Sequence, residues 1–110
     1  MPRKSQNGQA DGALFFHAVY DVVRAIPSGK AMTYAGVARR AGSAGAFRAV
    51  GNAMHQNRSW PAVPCHRVIP SSGMLGGWSG KGGPAEKKKL LIAEGIRFSG
   101  DRIDPKQILR

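Results

Sequence analysis

Apolar residues recur at helical spacing near the start of the chain. They lie one, three or four positions apart and form the single stripe of an amphipathic helix. The stripe consists of Phe15, Ala18, Val19, Val22, Val23 and Ile26. Asp11 is a suitable cap for this helix, and the proline, serine and glycine at 27–29 end it. We expect residues 1–12 to form a flexible N-terminal arm and residues 13–110 to form a single domain.

Two shorter helices are predicted next. Thr33 is a good N-cap for a helix over residues 34–41, and Gly42 follows its end as a C′ glycine. Ser43 can cap a third helix that runs to about Gln56. Two short helices joined tightly are typical of a helix-turn-helix, in which the second helix carries the contacts to DNA.

The predicted third helix has two different faces. Its periodicity turns three side chains inward, which are Phe47, Val50 and Met54. Three polar side chains share the opposite face, which are Arg48, Asn52 and His55. The pattern therefore predicts a helix that packs on the core with one face and presents a polar face outward.

Proline and glycine dominate residues 60–83, so regular helix is not expected there. We expect a loop, a short extended piece at 67–69 and a glycine-rich turn at 73–83. Pro84 then suits the first position of a helix that ends at Gly95. Phe98 and Ile103 indicate a short hairpin in the tail, and 105–109 a final turn. The predicted fold is mainly α, a small helical domain with a winged-helix-like helix-turn-helix and a short β hairpin or wing.

The net charge of the chain indicates which class of binding partner it favours. Among its 110 residues, 17 Lys and Arg stand against 6 Asp and Glu, which gives a net charge of +11. Such an excess favours nucleic acid, because phosphate neutralisation supplies sequence-independent affinity; a basic surface kept for solubility is the alternative. No apolar run approaches the roughly 20 residues of a membrane span. We expect a cytoplasmic or nucleoid protein, or a nuclear one in a eukaryote.

The chain has one cysteine, so no internal disulfide can form, and one Cys with 3 His does not suit a structural zinc site. The remaining alternatives are a buried inert thiol and a reactive one. His66 and Arg67 follow Cys65 directly, and an adjacent base or cation favours the nucleophilic thiolate. Neighbours in sequence do not always have neighbouring side chains, so adjacency alone leaves both alternatives open.

The segment around this cysteine is more specific. Residues 63–69 read VPCHRVI, and the chain resembles the O6-alkylguanine-DNA alkyltransferases in this active-site signature. IPSGK at 26–30, RAVGNAM at 48–54 and Asn57 are similar to that family's helix-turn-helix, recognition helix and asparagine hinge. SSG at 71–73, GGWSG at 76–80 and LLIAEG at 90–95 resemble the rest of its pocket. The resemblance covers residues 14–98.

The resemblance implies four catalytic residues. Cys65 would accept the alkyl group, His66 would remove the thiol proton through a water, and Glu94 would orient the imidazole. Asn57 would brace the turn before Cys65. Thiolate attack on the alkyl carbon needs the base outside the duplex, because O6 is unreachable in a stacked helix.

The resemblance also implies a DNA surface and a base pocket. Arg48 would fill the space of the extruded nucleotide, and Tyr34 would crowd the 3′ phosphate and donate a proton to the leaving guanine. The other residues expected at DNA are Thr33, Ala46, Ala49 and Gly51. Those expected to form the alkylguanine pocket are Met54, Val68, Trp78, Ser79 and Gly80.

Several features leave more than one function open. The resemblance covers only the DNA-binding and active-site domain, and the tail is similar to the alkyltransferase-like proteins, which bind alkylated bases without repairing them. Phe47 stands where the family has a small residue near DNA, although its periodicity points inward. We therefore expect a single-turnover methyltransferase, with a lesion-binding protein and a plain helix-turn-helix regulator as alternatives.

The expected partner is double-stranded DNA that contains O6-alkylguanine, and other repair proteins are further candidate partners. We expect a monomer with no cofactor and no metal.

Overall fold

The computed structural model describes residues 8–78 and 80–110. The α-helices in these described ranges are α1 (Gly8–Arg24), α2 (Tyr34–Arg40), α3 (Phe47–His55) and α4 (Gly83–Ala93). The short strands in the same part of the chain are β1 (Ala31–Thr33), β2 (Val68–Ile69), β3 (Phe98–Ser99), β4 (Arg102–Ile103) and β5 (Ile108–Leu109). Within the described residues, 3-10 turns cover Cys65–Arg67 and Pro105–Gln107. Among the described residues, none of the helices has the length and apolar character needed to cross a bilayer.

The helix predictions are right in kind, but two starts are wrong. Helix α1 already begins at Gly8, so Asp11 is not its cap and residues 8–12 are not a loose arm. Residues 1–7 of that predicted arm lie outside the described residues. Helix α3 begins at Phe47 rather than after Ser43, because Gly45 has a φ of 91°, which a right-handed helix does not allow.

Helix α2 follows its prediction closely. The Thr33 hydroxyl accepts a hydrogen bond from the Gly36 amide at 3.0 Å and so caps the helix. Gly42 has a φ of 98°, the left-handed conformation expected just after a helix end. The chain then turns and enters α3, which packs against α2 and α1.

A small parallel sheet lies beneath these helices. Its strand order is β2-β1-β5, with Met32 opposite Val68 and Ala31 opposite Ile108. The extended piece expected at 67–69 begins one residue later, because Arg67 closes the 3-10 turn. The predicted tail hairpin is confirmed, since β3 and β4 pair antiparallel with Phe98 opposite Ile103.

Two apolar clusters form the core. The first joins the inner faces of the first three helices with the cysteine segment, and it includes Val19, Val50, Met54 and Cys65. The second joins the sheet, α4 and the hairpin through residues such as Ile69, Leu91 and Ile103. The segment that contains Cys65 therefore runs along the boundary between helices and sheet.

Candidate active site and nucleic-acid interface

Cys65 begins the 3-10 turn that leads into β2, and its side chain is nearly buried at 9 % exposure. The thiol borders a cavity of about 630 Å³, within the roughly 300–1,000 Å³ typical of small-ligand sites. Other residues that line the cavity are Met54, Asn57, Trp60, Trp78 and Gly80. The cavity is therefore large enough for a ligand, and it contains the chain's only thiol.

Asn57 holds the turn before the cysteine. Its side-chain nitrogen donates to the Val63 carbonyl at 2.7 Å, and its oxygen accepts from the Ser59 amide at 2.9 Å. These two bonds span the irregular segment between α3 and Cys65. The orientation of the thiol is thus coupled to the end of α3.

Near the thiol, the carboxylate of Glu94 accepts hydrogen bonds from two side chains, His66 and Arg67. His66 Nε2 donates to Glu94 Oε2 at 2.9 Å. Arg67 donates to both Glu94 oxygens at 2.8 and 2.7 Å, and also to the Ile26 carbonyl at 2.8 Å. Such a bidentate pair fixes the carboxylate, which in turn fixes the imidazole. Sequence reasoning did not include Arg67 in the site, although its place in the signature was a usable signal.

The protonation states follow from this arrangement. Burial lowers the pKa of His66 below its ordinary 6.5, which outweighs the raising effect of Glu94. Burial raises the pKa of Glu94, but the hydrogen bonds from Arg67 and His66 outweigh it and hold that pKa below 4.5. Near neutral pH the imidazole is uncharged and the carboxylate ionised, with Arg67 as its counter-ion.

Two indole rings complete the surroundings of the thiol. Trp60 Nε1 donates to His66 Nδ1 at 3.0 Å, and Trp78 Nε1 donates to Cys65 Sγ at 3.5 Å. A Cβ at Gly80 would lie 2.4 Å from the Trp78 ring, so only glycine fits beneath it. Trp60 was not predicted as a site residue, and its position among prolines gave no periodic signal.

Tyr34 approaches the thiol from the start of α2. It borders a smaller cavity of about 170 Å³, together with Gly51, Met54, Cys65 and Trp78. Burial, and secondarily the electrostatic interaction with Cys65, raise the pKa of Tyr34 above 10.0. The phenol therefore keeps its proton at neutral pH and is able to donate a hydrogen bond.

The outer surface of α3 is accessible. Arg48, Asn52 and His55 are exposed, while Ala46, Ala49 and Gly51 are partly exposed. No described atom outside its helix lies within 4 Å of the place where a Cβ of Gly51 would stand. Phe47 is 48 % exposed, so the inward orientation that its periodicity predicted is wrong. It is the first residue of α3 and lies beyond the edge of the core.

The remaining predicted site residues differ in position. Met54, Trp78 and Gly80 line the larger cavity. The side chains of Val68 and Thr33 are buried at 0 % and 2 % exposure, so neither presents a side-chain surface to a ligand. The Thr33 hydroxyl accepts the hydrogen bond that caps α2, and the expected contact of Thr33 with DNA stays a prediction. Ser79 lies outside the described residues.

Helices on a small sheet place Cys65 at a cavity, beside the hydrogen-bonded pair of His66 and Glu94 and next to the accessible helix α3. The family described as 6-O-methylguanine DNA methyltransferase, DNA binding domain, matches residues 14–96. The chain belongs to this family.

Its relatives include proteins of two kinds. It is 45% identical over 82 residues to the methylated-DNA–protein-cysteine methyltransferase of Methanothermobacter thermautotrophicus, covering 74% of this chain and 44% of that protein. The structure of S. pombe Atl1 with damaged DNA containing O6-carboxymethylguanine matches with a TM-score of 0.72 and 33% identity, over 87% of this chain and 94% of that one. Mycobacterium tuberculosis O6-methylguanine methyltransferase matches with a TM-score of 0.66 and 40% identity, over 79% and 52% of the two chains.

The chain therefore covers less than half of the methyltransferase from Methanothermobacter, at 44%. It covers nearly all of the Atl1 chain, at 94%.

Proposed function

We propose that this protein is a DNA repair protein that flips O6-alkylguanine out of duplex DNA and transfers the alkyl group irreversibly to Cys65. The observation that carries the proposal is the thiol at a cavity of about 630 Å³, with His66 and Glu94 hydrogen-bonded behind it at 2.9 Å. Membership of the family supports the same chemistry.

In this proposal α2 and α3 form a helix-turn-helix of the winged-helix type, and α3 lies in the minor groove. The small residues Ala46, Ala49 and Gly51 allow close approach of the helix to the groove. Arg48 enters the duplex and occupies the space of the extruded nucleotide, as wedge residues do in other DNA-distorting proteins. The exposure of Arg48 and the open space over Gly51 support this orientation.

The transfer is a single displacement. The Cys65 proton passes towards His66, and the sulfur attacks the alkyl carbon of the flipped base. The S–C bond forms as the C–O6 bond breaks, and the electron pair of that bond remains on guanine. Guanine takes a proton from Tyr34, which is restored from solvent or from His66. The net change is exchange of the thiol hydrogen for the alkyl group, so one molecule reacts once.

Mass spectrometry tests the transfer directly. The protein is incubated with a duplex that contains O6-methylguanine, and the Cys65 peptide is expected to gain one methyl group in a one-to-one ratio with the lesion. Cys65→Ala is expected to bind the same duplex without gaining mass. Tight binding by the original chain with no mass change would overturn the transfer.

The second candidate is a lesion-binding protein that marks alkylated guanine for other repair proteins. The specific observation in its favour is that the chain covers 94% of the Atl1 chain. The same cavity would then hold the flipped base, with Cys65 as a wall residue. Preferential binding of the O6-methylguanine duplex without methyl transfer would select this function.

A further inference from the structure

The two tryptophan side chains of the chain lie close to each other and next to Cys65 and His66. The Trp60 and Trp78 ring centroids lie 6.0 Å apart, and the Trp60 ring lies 5.9 Å from the His66 ring. Each indole N–H is directed at a different atom of the site, Trp60 at His66 Nδ1 and Trp78 at Cys65 Sγ. The Trp60 indole therefore contacts the imidazole of His66, and the Trp78 indole contacts the thiol itself.

The contact of Trp60 affects the base. A neutral imidazole has one N–H donor and one acceptor nitrogen. The Nε2–H is used by Glu94 at 2.9 Å, which leaves Nδ1 as the only nitrogen able to take a proton. That lone pair accepts the Trp60 N–H at 3.0 Å, and an indole N–H can donate but cannot accept. His66 is thus unable to receive the Cys65 proton in this arrangement.

Trp60 is also placed where it can move. It is 42 % exposed, and the residues around it from 58 to 62 are exposed as well. Its ring borders the cavity that would receive a base. A base in that cavity would lie beside the indole, and the indole can leave His66 towards solvent without opening the core.

We propose that Trp60 is a positioning residue that keeps His66 from acting as a base until a nucleobase in the cavity displaces the indole. This inference rests on the proposed transfer function. It adds a residue of the same site that controls when Cys65 can react. The thiol would be protected from unproductive alkylation in the free protein and become reactive when a base is bound.

The first experiment measures the reaction of Cys65 with iodoacetamide in the absence of DNA. Trp60→Phe keeps an aromatic ring but removes the N–H, so the rate is expected to rise roughly tenfold or more, as expected for a freed general base. Trp78→Phe is the matched control, since it removes the other indole N–H and leaves Nδ1 engaged; it is expected to slow the reaction.

A double variant distinguishes a role of His66 from easier access of iodoacetamide to the thiol. If the increase in the reaction rate depends on His66, it disappears in the double variant that combines Trp60→Phe with His66→Gln. A rate unchanged by Trp60→Phe would overturn the proposal. A gain that persists in the double variant would overturn it too, because the substitution would then only widen the path to the thiol.

A second measurement leaves position 60 unchanged. With 5-fluorotryptophan in the Cys65→Ala protein, the two fluorine signals are assigned by Trp78→Phe. A bound O6-methylguanine duplex is expected to shift the Trp60 signal, whereas an unmodified duplex bound at the same level is not. Equal spectra for the two bound duplexes would contradict displacement of the indole.

Failure of this inference can be told from failure of the proposed function. Methyl transfer to Cys65 with no iodoacetamide gain in Trp60→Phe would refute the role of Trp60 alone. A gain that depends on His66, in a protein that never accepts methyl from DNA, would refute the transfer and leave Trp60 as the residue that restrains His66.

Discussion

At the residue scale, His66 takes part in two side-chain hydrogen bonds, one that it donates to Glu94 and one that it accepts from Trp60. Cys65, His66 and Glu94 stand in short recognisable segments, and the structure brings His66 and Glu94 together across 28 positions. The hydrogen bond of Trp60 to His66 depends on the path of an irregular proline-containing turn. Periodicity carries no information about such a turn, so this contact could not be derived from the chain alone.

In the proposed function, Arg48 is the residue on which base extrusion depends most. We expect Arg48→Ala to reduce the preference for an O6-methylguanine duplex over an unmodified one by roughly tenfold, because loss of about 1.4 kcal/mol of wedge stabilisation has that effect. The preference is measured by fluorescence anisotropy with the two duplexes.

Arg39→Ala is the control for charge, since Arg39 is an exposed arginine on α2. It is expected to weaken binding of both duplexes to the same extent. A preference that survives Arg48→Ala would count against the wedge role.

At the scale of elements, long periodic segments are predictable and short ones are not. The stripe of α1 indicates its buried face, and Val19, Val23 and Ile26 are indeed buried. Strand β1 was missed because its three residues are all buried and therefore show no alternation of polar and apolar positions. The start of α3 was misplaced because the left-handed conformation of Gly45 could not be distinguished from an ordinary turn glycine.

Helix α3 offers a test of groove contact through Gly51. Glycine inside a helix costs about 1 kcal/mol relative to alanine, and no described atom beyond the helix would touch an added Cβ. Gly51→Ala is therefore expected to raise the free energy of unfolding by about 1 kcal/mol in urea denaturation. It is expected to weaken duplex binding severalfold, because the methyl group would meet the DNA backbone.

The denaturation curve shows that any loss of binding by this variant does not come from misfolding. Unchanged duplex affinity would indicate that Gly51 does not face the groove.

At the scale of the whole molecule, Lys87 joins parts that are distant in sequence. It is fully buried in α4 and donates to the carbonyls of Val68 at 3.0 Å and Gly77 at 3.1 Å. It therefore holds α4, strand β2 and the glycine-rich segment in one arrangement around the cavity. A lysine in a helix is predicted to be exposed, and only the folded contacts reveal its burial.

Lys87 makes the stability of the molecule depend on pH. Burial lowers its pKa from 10.5 to about 8, so between these values the unfolded chain binds more protons than the folded one. The free energy of unfolding is therefore expected to rise with pH, by about 2 kcal/mol from pH 7.5 to 9.5. Below this window the full cost of burying the charge remains.

Urea denaturation across that pH range measures the effect, and the range stays below the raised pKa values of Tyr20 and Tyr34. Lys87→Met should flatten the profile, and a titration of Lys87 by NMR gives its pKa independently. A flat profile for the unaltered chain would contradict the expectation.

The ion pair of Arg67 has a consequence for how the protein is made. Arg67 connects the Ile26 carbonyl, 41 positions earlier, with Glu94, 27 positions later. Loop closure over such separations is late and cooperative in folding. A nascent chain or a proteolytic fragment that lacks the last helix cannot assemble the carboxylate behind His66. In the proposed function, the activation of Cys65 by His66 and Glu94 therefore becomes available only when synthesis of the domain is complete.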